Sequence, residues 1–140
     1  MLFPGARFEV LSDDPCFVLD GGHNPQCADA VVENLDHYFP DMAHILLVGA
    51  LRDKDYSTLF TTLDASADAY FCVSPSSPRA LGAEELAEFL RKFGKPVTVC
   101  RSIEDGVEEA KESARTAKGM VCAVGSLYMA GAIRACFGCY

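Results

Sequence analysis

Residues 18–27 read Val18-Leu19-Asp20-Gly21-Gly22-His23-Asn24-Pro25-Gln26-Cys27, which sets a carboxylate, two glycines and an imidazole side by side. The apolar run Cys16-Phe17-Val18-Leu19 predicts a buried strand that Asp20 ends. The glycines make a tight turn, and Asn24-Pro25 supplies a cap and a first helical residue. A strand therefore delivers an acid and an imidazole to a helix N-terminus. Such a terminus presents unpaired N–H groups and partial positive charge, and glycines without a Cβ let an anion come close. The chemistry this stretch suits is the handling of phosphate or carboxylate. His37 and His44 have no such context and are expected on the surface or in the core.

Further charged residues recur after apolar runs. Gly49-Ala50-Leu51-Arg52-Asp53-Lys54-Asp55, the segment from Ser74 to Arg79, and Gly125-Ser126 each follow a strand-like segment. The expected strands are 7–11, 16–19, 43–48, 69–73, 96–100 and 120–124. The expected helices are 24–39, 55–63, 83–93, 103–117 and a last one after Gly125. Short apolar strands alternating with amphipathic helices mean crossover units on a parallel sheet. The fold class expected is α/β: a three-layer, Rossmann-like sheet of about six strands, mostly parallel, with helices on both faces. Ser12-Asp13-Asp14-Pro15 is turn-rich, so the first two strands should form a hairpin with one antiparallel strand. A turn centred between Asp13 and Asp14 would put Arg7 opposite Asp20 and on its face. In open α/β sheets ligands bind at the carboxyl edge of the parallel strands, where Arg7, Asp20, His23, Lys54, Arg79 and Ser126 would then gather.

The chain has 140 residues, half of them apolar, and a formal net charge of −8. That length suits one domain spanning 1–140. The acidic balance argues against nucleic acid as a partner, because binding a polyanion relies on many Lys and Arg contacts. The sequence contains no signal-type segment and no long apolar run, so it reads as a cytoplasmic protein with no membrane partner. Of seven cysteines, Cys16, Cys72, Cys100 and Cys122 lie in strand-like runs and read as reduced, buried thiols. Cys136 and Cys139 match C-x-x-C, but no second pair accompanies them, so neither a zinc site nor a redox motif is expected.

Arg7-Phe8-Glu9, Leu19-Asp20-Gly21-Gly22-His23-Asn24-Pro25, Gly49-x-x-x-Asp53-Lys54-Asp55, Pro78-Arg79-Ala80 and Gly125-Ser126-Leu127-Tyr128 follow one another along the chain. In this order and spacing they resemble the C-terminal domain of folylpolyglutamate synthase and the bifunctional dihydrofolate synthase, within the Mur ligase superfamily. The resemblance implies an ATP-dependent carbon–nitrogen ligase of folate biosynthesis and one-carbon metabolism. In that family a pterin-linked or folate carboxylate takes the ATP γ-phosphate as an acyl phosphate, and the amino group of L-glutamate then displaces phosphate, so the same steps would be expected here. Dihydropteroate or folate would be the acceptor.

On that reading Arg7, Asp20, His23 and Asn24 serve ATP, His23 and Lys54 are the catalytic candidates, and Arg79 and Ser126 receive the carboxylates of glutamate. Lys54 precedes a helix, the unfavourable end for a cation, which a bound anion would explain. The phosphate loop G-x-x-x-x-G-K-[ST] is absent from the sequence. The loop and the Mg2+ ligands are therefore expected in a preceding N-terminal ATPase domain of the same polypeptide. The chain reads as a C-terminal domain excised from a larger ligase, inactive alone, with no metal ligands of its own. Two other readings are a free-standing, non-catalytic nucleotide-binding module and the equivalent domain of a peptidoglycan Mur ligase.

Overall fold

The computed structural model describes residues 8–21 and 25–138. Six strands, β1 (Phe8–Asp13), β2 (Cys16–Asp20), β3 (Ala43–Val48), β4 (Ala69–Cys72), β5 (Val97–Val99) and β6 (Gly119–Val124), form one sheet in the order β1-β2-β6-β3-β4-β5. Only β1 runs antiparallel. The helices are α1 (Pro25–Tyr38), α2 (Tyr56–Leu63), α3 (Ala83–Arg91), α4 (Ile103–Ala117) and α5 (Ala130–Ala135), the last preceded by a 3₁₀ turn (Leu127–Met129). The expected α/β class, the mostly parallel sheet and the N-terminal hairpin are all present.

Alternation along the strands divides the apolar residues between two cores. Val18, Leu46, Val48, Tyr70, Cys72, Met120 and Cys122 pack under α1, α2 and α3 with Leu35, Phe60 and Leu86. Phe17, Leu19, Ile45, Leu47, Val121 and Ala123 pack on the other face under α4 and α5 with Val107, Ala110 and Ile133. Each fully buried Leu or Phe contributes roughly 1.5–3 kcal/mol, so the two cores together dominate the stability of the sheet. β6 is buried at every position, as a strand laid between two others must be.

The hairpin register differs from expectation. Asp13 pairs with Cys16, so the turn is at Asp14–Pro15, later than the sequence suggested. A bulge between Val10 and Ser12 recovers part of that offset. The result places Phe8, not Arg7, opposite Asp20. Phe8 is fully buried and lies 6.2 Å from the Phe39 ring. The burial of this side chain explains the register, since a slip of one residue would carry it to the other face. Arg7, Gly22, His23, Asn24 and Cys139 lie outside the described residues.

The amino edge of the sheet is structural. His44 is buried, with Nδ1 2.7 Å from the Ser66 carbonyl oxygen and Nε2 2.8 Å from that of Phe39. Tyr70 donates its hydroxyl to Asp64 Oδ1 (2.6 Å), and Lys95 pairs with the same oxygen at 3.2 Å. At the carboxyl edge the demand is for space. Gly125 has φ +118°, and a Cβ there would overlap the carbonyl oxygen of Gly49. A Cβ on Gly49 would in turn crowd Met129 Sδ and stand 3.1 Å from the Val73 carbonyl oxygen.

We predict that Gly125→Ala lowers unfolding stability by about 1–3 kcal/mol or more, because it adds backbone strain to a steric overlap. Urea denaturation checks this, with Gly131→Ala as control, since nothing lies within 4 Å of a Cβ at Gly131.

Candidate functional site

The carboxyl ends of β2, β3, β4 and β6 deliver Asp20, residues 49–55, residues 73–82 and Gly125-Ser126 to one edge of the sheet. Three of these segments are in direct contact. Leu51 bridges Ala80, the Arg52 N–H donates to the Arg79 carbonyl (2.7 Å), and the Leu81 N–H donates to the Ala50 carbonyl (2.9 Å). The loops after β3 and β4 therefore form one hydrogen-bonded unit. The loop after β6 joins them through the close approach of Gly125 to Gly49, and its Tyr128 stands beside Arg79.

Asp20, at the end of β2, is 3% exposed. Its negative charge and, above all, burial push the neighbouring Cys122 thiol well up. Burial likewise pushes the thiols of Cys72 and Cys100 up to about 12 each, as reduced core cysteines require.

The charged loop after β3 is almost wholly committed. Arg52 forks onto Glu85 at 2.8 and 3.1 Å. Arg79 donates Nε to Asp53 Oδ2 (2.8 Å) and Nη2 to Asp53 Oδ1 (3.1 Å). Asp55 accepts the Thr58 N–H (3.1 Å) and so caps α2. Lys54 is exposed, and among the described residues no acid pairs with it. Ser126 Oγ accepts the Tyr128 N–H (3.2 Å), which leaves its own O–H to donate. The Ser74 hydroxyl accepts the Ala83 N–H (3.0 Å) and supplies the cap that Gly82 lacks. Between the loop after β4, the start of α3 and the end of β5 a cleft of about 510 Å³ opens, lined by Ser74, Glu84, Glu85, Val99 and Arg101.

Sequence reasoning thus located Asp20, Lys54, Arg79 and Ser126 on one edge, and the structure brings the last three to interlocked loops. It missed Glu85 and Tyr128, and it assigned no partner to Asp53. The two forks join residues 26 and 33 positions apart, so no local spacing announces them. As for a metal, the acids of this edge do not form a suitable set: Asp53 and Asp55 are spent on Arg79 and Thr58. Among the described residues no cluster of three His, Cys, Asp or Glu could hold an ion. No helix among them is long and apolar enough to cross a membrane.

Residues 6–127 match the model of the Mur ligase glutamate ligase domain. The chain belongs to that family. Among its curated relatives, a probable bifunctional folylpolyglutamate synthase/dihydropteroate synthase of Halobacterium salinarum is 38% identical over 128 residues, covering 90% of this chain and 15% of that protein. The folylpolyglutamate synthase of Lacticaseibacillus casei is 32% identical over 133 residues, covering 92% of this chain and 28% of the enzyme. Among solved structures, Mycobacterium tuberculosis folylpolyglutamate synthase complexed with ADP and AMPPCP superposes with a TM-score of 0.83 at 28% identity, over 95% of this chain and 32% of that one. A bifunctional folylpolyglutamate synthase/dihydrofolate synthase with Mn, AMPPNP and L-glutamate bound gives 0.82 at 28% identity, over 98% of this glutamate ligase domain and 32% of that chain. The domain spans at most about a third of the length of these relatives.

The paired acids of this glutamate ligase domain carry a pH signature. Hydrogen bonding to Arg79 holds Asp53 below the ordinary aspartate range, the Thr58 cap does the same for Asp55, and Arg52 for Glu85. Each group is therefore lower in the folded than in the unfolded state. Its contribution is complete above the ordinary carboxylate value of about 4 and is lost as pH falls through the depressed folded value. Carboxyl-carbon NMR titration should give all three midpoints below the ordinary carboxylate value of about 4; an Asp53 midpoint at the ordinary value would contradict the pairing.

Proposed function

We propose that this chain is the C-terminal domain of a cytoplasmic ATP-dependent ligase that joins L-glutamate to dihydropteroate, folate or both. The observation that carries the reading is that the family match at 6–127 contains every candidate residue, from Arg7 to Ser126, in order. In this reading Arg7, Asp20, His23 and Asn24 face the nucleotide. Lys54, a catalytic candidate from the sequence, is read here with Ser126 as facing the carboxylates of glutamate: the ammonium offers unpaired positive charge, and the serine O–H donates. Arg79 adds a second positive charge at the same edge. The phosphate-cradling loop and the Mg2+ ligands belong to an N-terminal ATPase domain, so the two domains close around a shared acyl phosphate intermediate.

Chemically, the attacking amine must be uncharged and aimed at the acyl carbon, while its two carboxylates need cations and donors fixed in place. Lys54 and the Ser126 hydroxyl supply such groups from two separate strands' ends. His23, two positions before Pro25 in the sequence, is suited by its imidazole to donate to a phosphate oxygen.

The test is glutamate-dependent ADP release by the full-length protein, assayed with dihydropteroate and with a reduced folate. Activity should require glutamate and at least one pterin; ADP release indifferent to glutamate would overturn the proposal. Substitutions should separate kinetically. Asp20→Ala should raise the KM for ATP, whereas Lys54→Ala should raise the KM for glutamate about tenfold or more, as expected for losing one charge-assisted contact of roughly 1.5–3 kcal/mol.

A further inference from the structure

In the run Arg52-Asp53-Lys54-Asp55 the charges alternate, yet their fates differ. Arg52 is forked onto Glu85, Asp53 onto Arg79, and Asp55 caps α2 through the Thr58 N–H. Lys54 alone keeps its charge uncommitted among the described residues. It is bracketed by two fixed carboxylates, one held by a guanidinium and one by a helix start. Beneath this run the backbone is fastened to the loop after β4 by the Leu51–Ala80 bridge and the hydrogen bonds Arg52 N–H to Arg79 O and Leu81 N–H to Ala50 O.

The two forks are exposed: side-chain accessibility is 47% and 55% for Arg79 and Asp53, and 58% for both Arg52 and Glu85. Pairs this open to water contribute little to stability, so they are not what holds the fold together. They do fix geometry, because a bidentate guanidinium–carboxylate pair sets orientation as well as distance. They fix the backbone that leads into Lys54, and the Asp55 cap on α2 fixes the backbone that leaves it. That lysine also stands just before the N-terminus of α2, where the helix field disfavours a cation, and an unrestrained loop would turn it away.

The geometry points to Asp53 and Arg79 as positioning residues that hold Lys54 in place for a carboxylate of the incoming amino acid, with Arg79 not itself a contact. This inference rests on the glutamate-ligase reading and revises the role expected of Arg79 from the sequence. An arginine that bound glutamate directly with its fork would have to release Asp53 first. As a positioning residue it keeps Asp53 throughout, and Tyr128, from the loop after β6, lies against it.

The experiment is a charge-swap cycle in the full-length ligase, read as KM for glutamate, KM for ATP and kcat. Asp53→Ala and Arg79→Ala should each raise the glutamate KM about tenfold, the scale of effect that misplacing a binding group produces, with the ATP KM unchanged. The double alanine variant should be no worse than either single, because both break one pair. Asp53→Arg combined with Arg79→Asp should recover the glutamate KM to within about threefold, a rescue that depends on the pair and not on a cation at position 79. Adding Lys54→Ala to the swapped enzyme should abolish that recovery. Asp53→Asn and Arg79→Gln, closer in shape, repeat the cycle, and thermal midpoints establish that every variant compared is folded. Additive losses without rescue by the swap overturn the inference and make Arg79 a direct contact. A wild type without glutamate dependence overturns the ligase reading and the inference together, whereas an active wild type whose swap fails overturns the inference alone.

Discussion

The approach of Gly125 to the carbonyl of Gly49 is the constraint on which the rest of the edge depends. β6 is the last strand in sequence, yet it lies between β2 and β3 in the middle of the sheet. The chain reaches that slot through α4, which starts after β5 at the far edge and recrosses β4 and β3 on one face. The connections from β2 and β3 lead to α1 and α2 on one face and that from β6 leads to α5 on the other, and a crevice opens where neighbouring connections part to opposite faces. Here the loop after β6 must leave that crevice against the loop after β3, and only backbones without side chains can pass so closely. The same contact sets Ser126 beside residues 49–55 and carries Tyr128 to Arg79.

Rigidity and reactivity are divided between the two edges. The amino edge is fastened by buried or half-buried groups, His44 between two carbonyls and Asp64 between Tyr70 and Lys95. The carboxyl edge is fastened by backbone hydrogen bonds and by ion pairs that remain in water. Buried polar groups are costly to break, and exposed pairs are cheap. On the proposed function, the scaffold is secured away from the ligands, while the loops that would meet them are ordered with little stability at stake.

Much of this was legible in the sequence, for identifiable reasons. β3 and α4 were read with the boundaries that the structure has, since an unbroken apolar run and a capped 3.6-residue periodicity leave few alternatives. Lys54, Arg79 and Ser126 fall on one edge because each follows a strand expected to be parallel. The hairpin register was not legible: it depends on a bulge near Leu11 and on burial of Phe8, neither of which a turn count contains. The pairing of the loop charges was likewise hidden. Arg52, Asp53, Lys54 and Asp55 are visible as alternating charges, but which of them is spent is decided by Glu85 and Arg79, brought in by tertiary packing.

On the proposed function, ligands engage the edge where the loops after β2, β3, β4 and β6 meet. Hydrogen-exchange mass spectrometry on the full-length protein, with and without a non-hydrolysable ATP analogue and L-glutamate, tests it most directly. Protection should concentrate in residues 20–21, 49–55, 74–82 and 125–129, leaving the amino edge around 63–69 and 93–97 unchanged. Protection confined to the amino edge or to the outer face of α4 would contradict it.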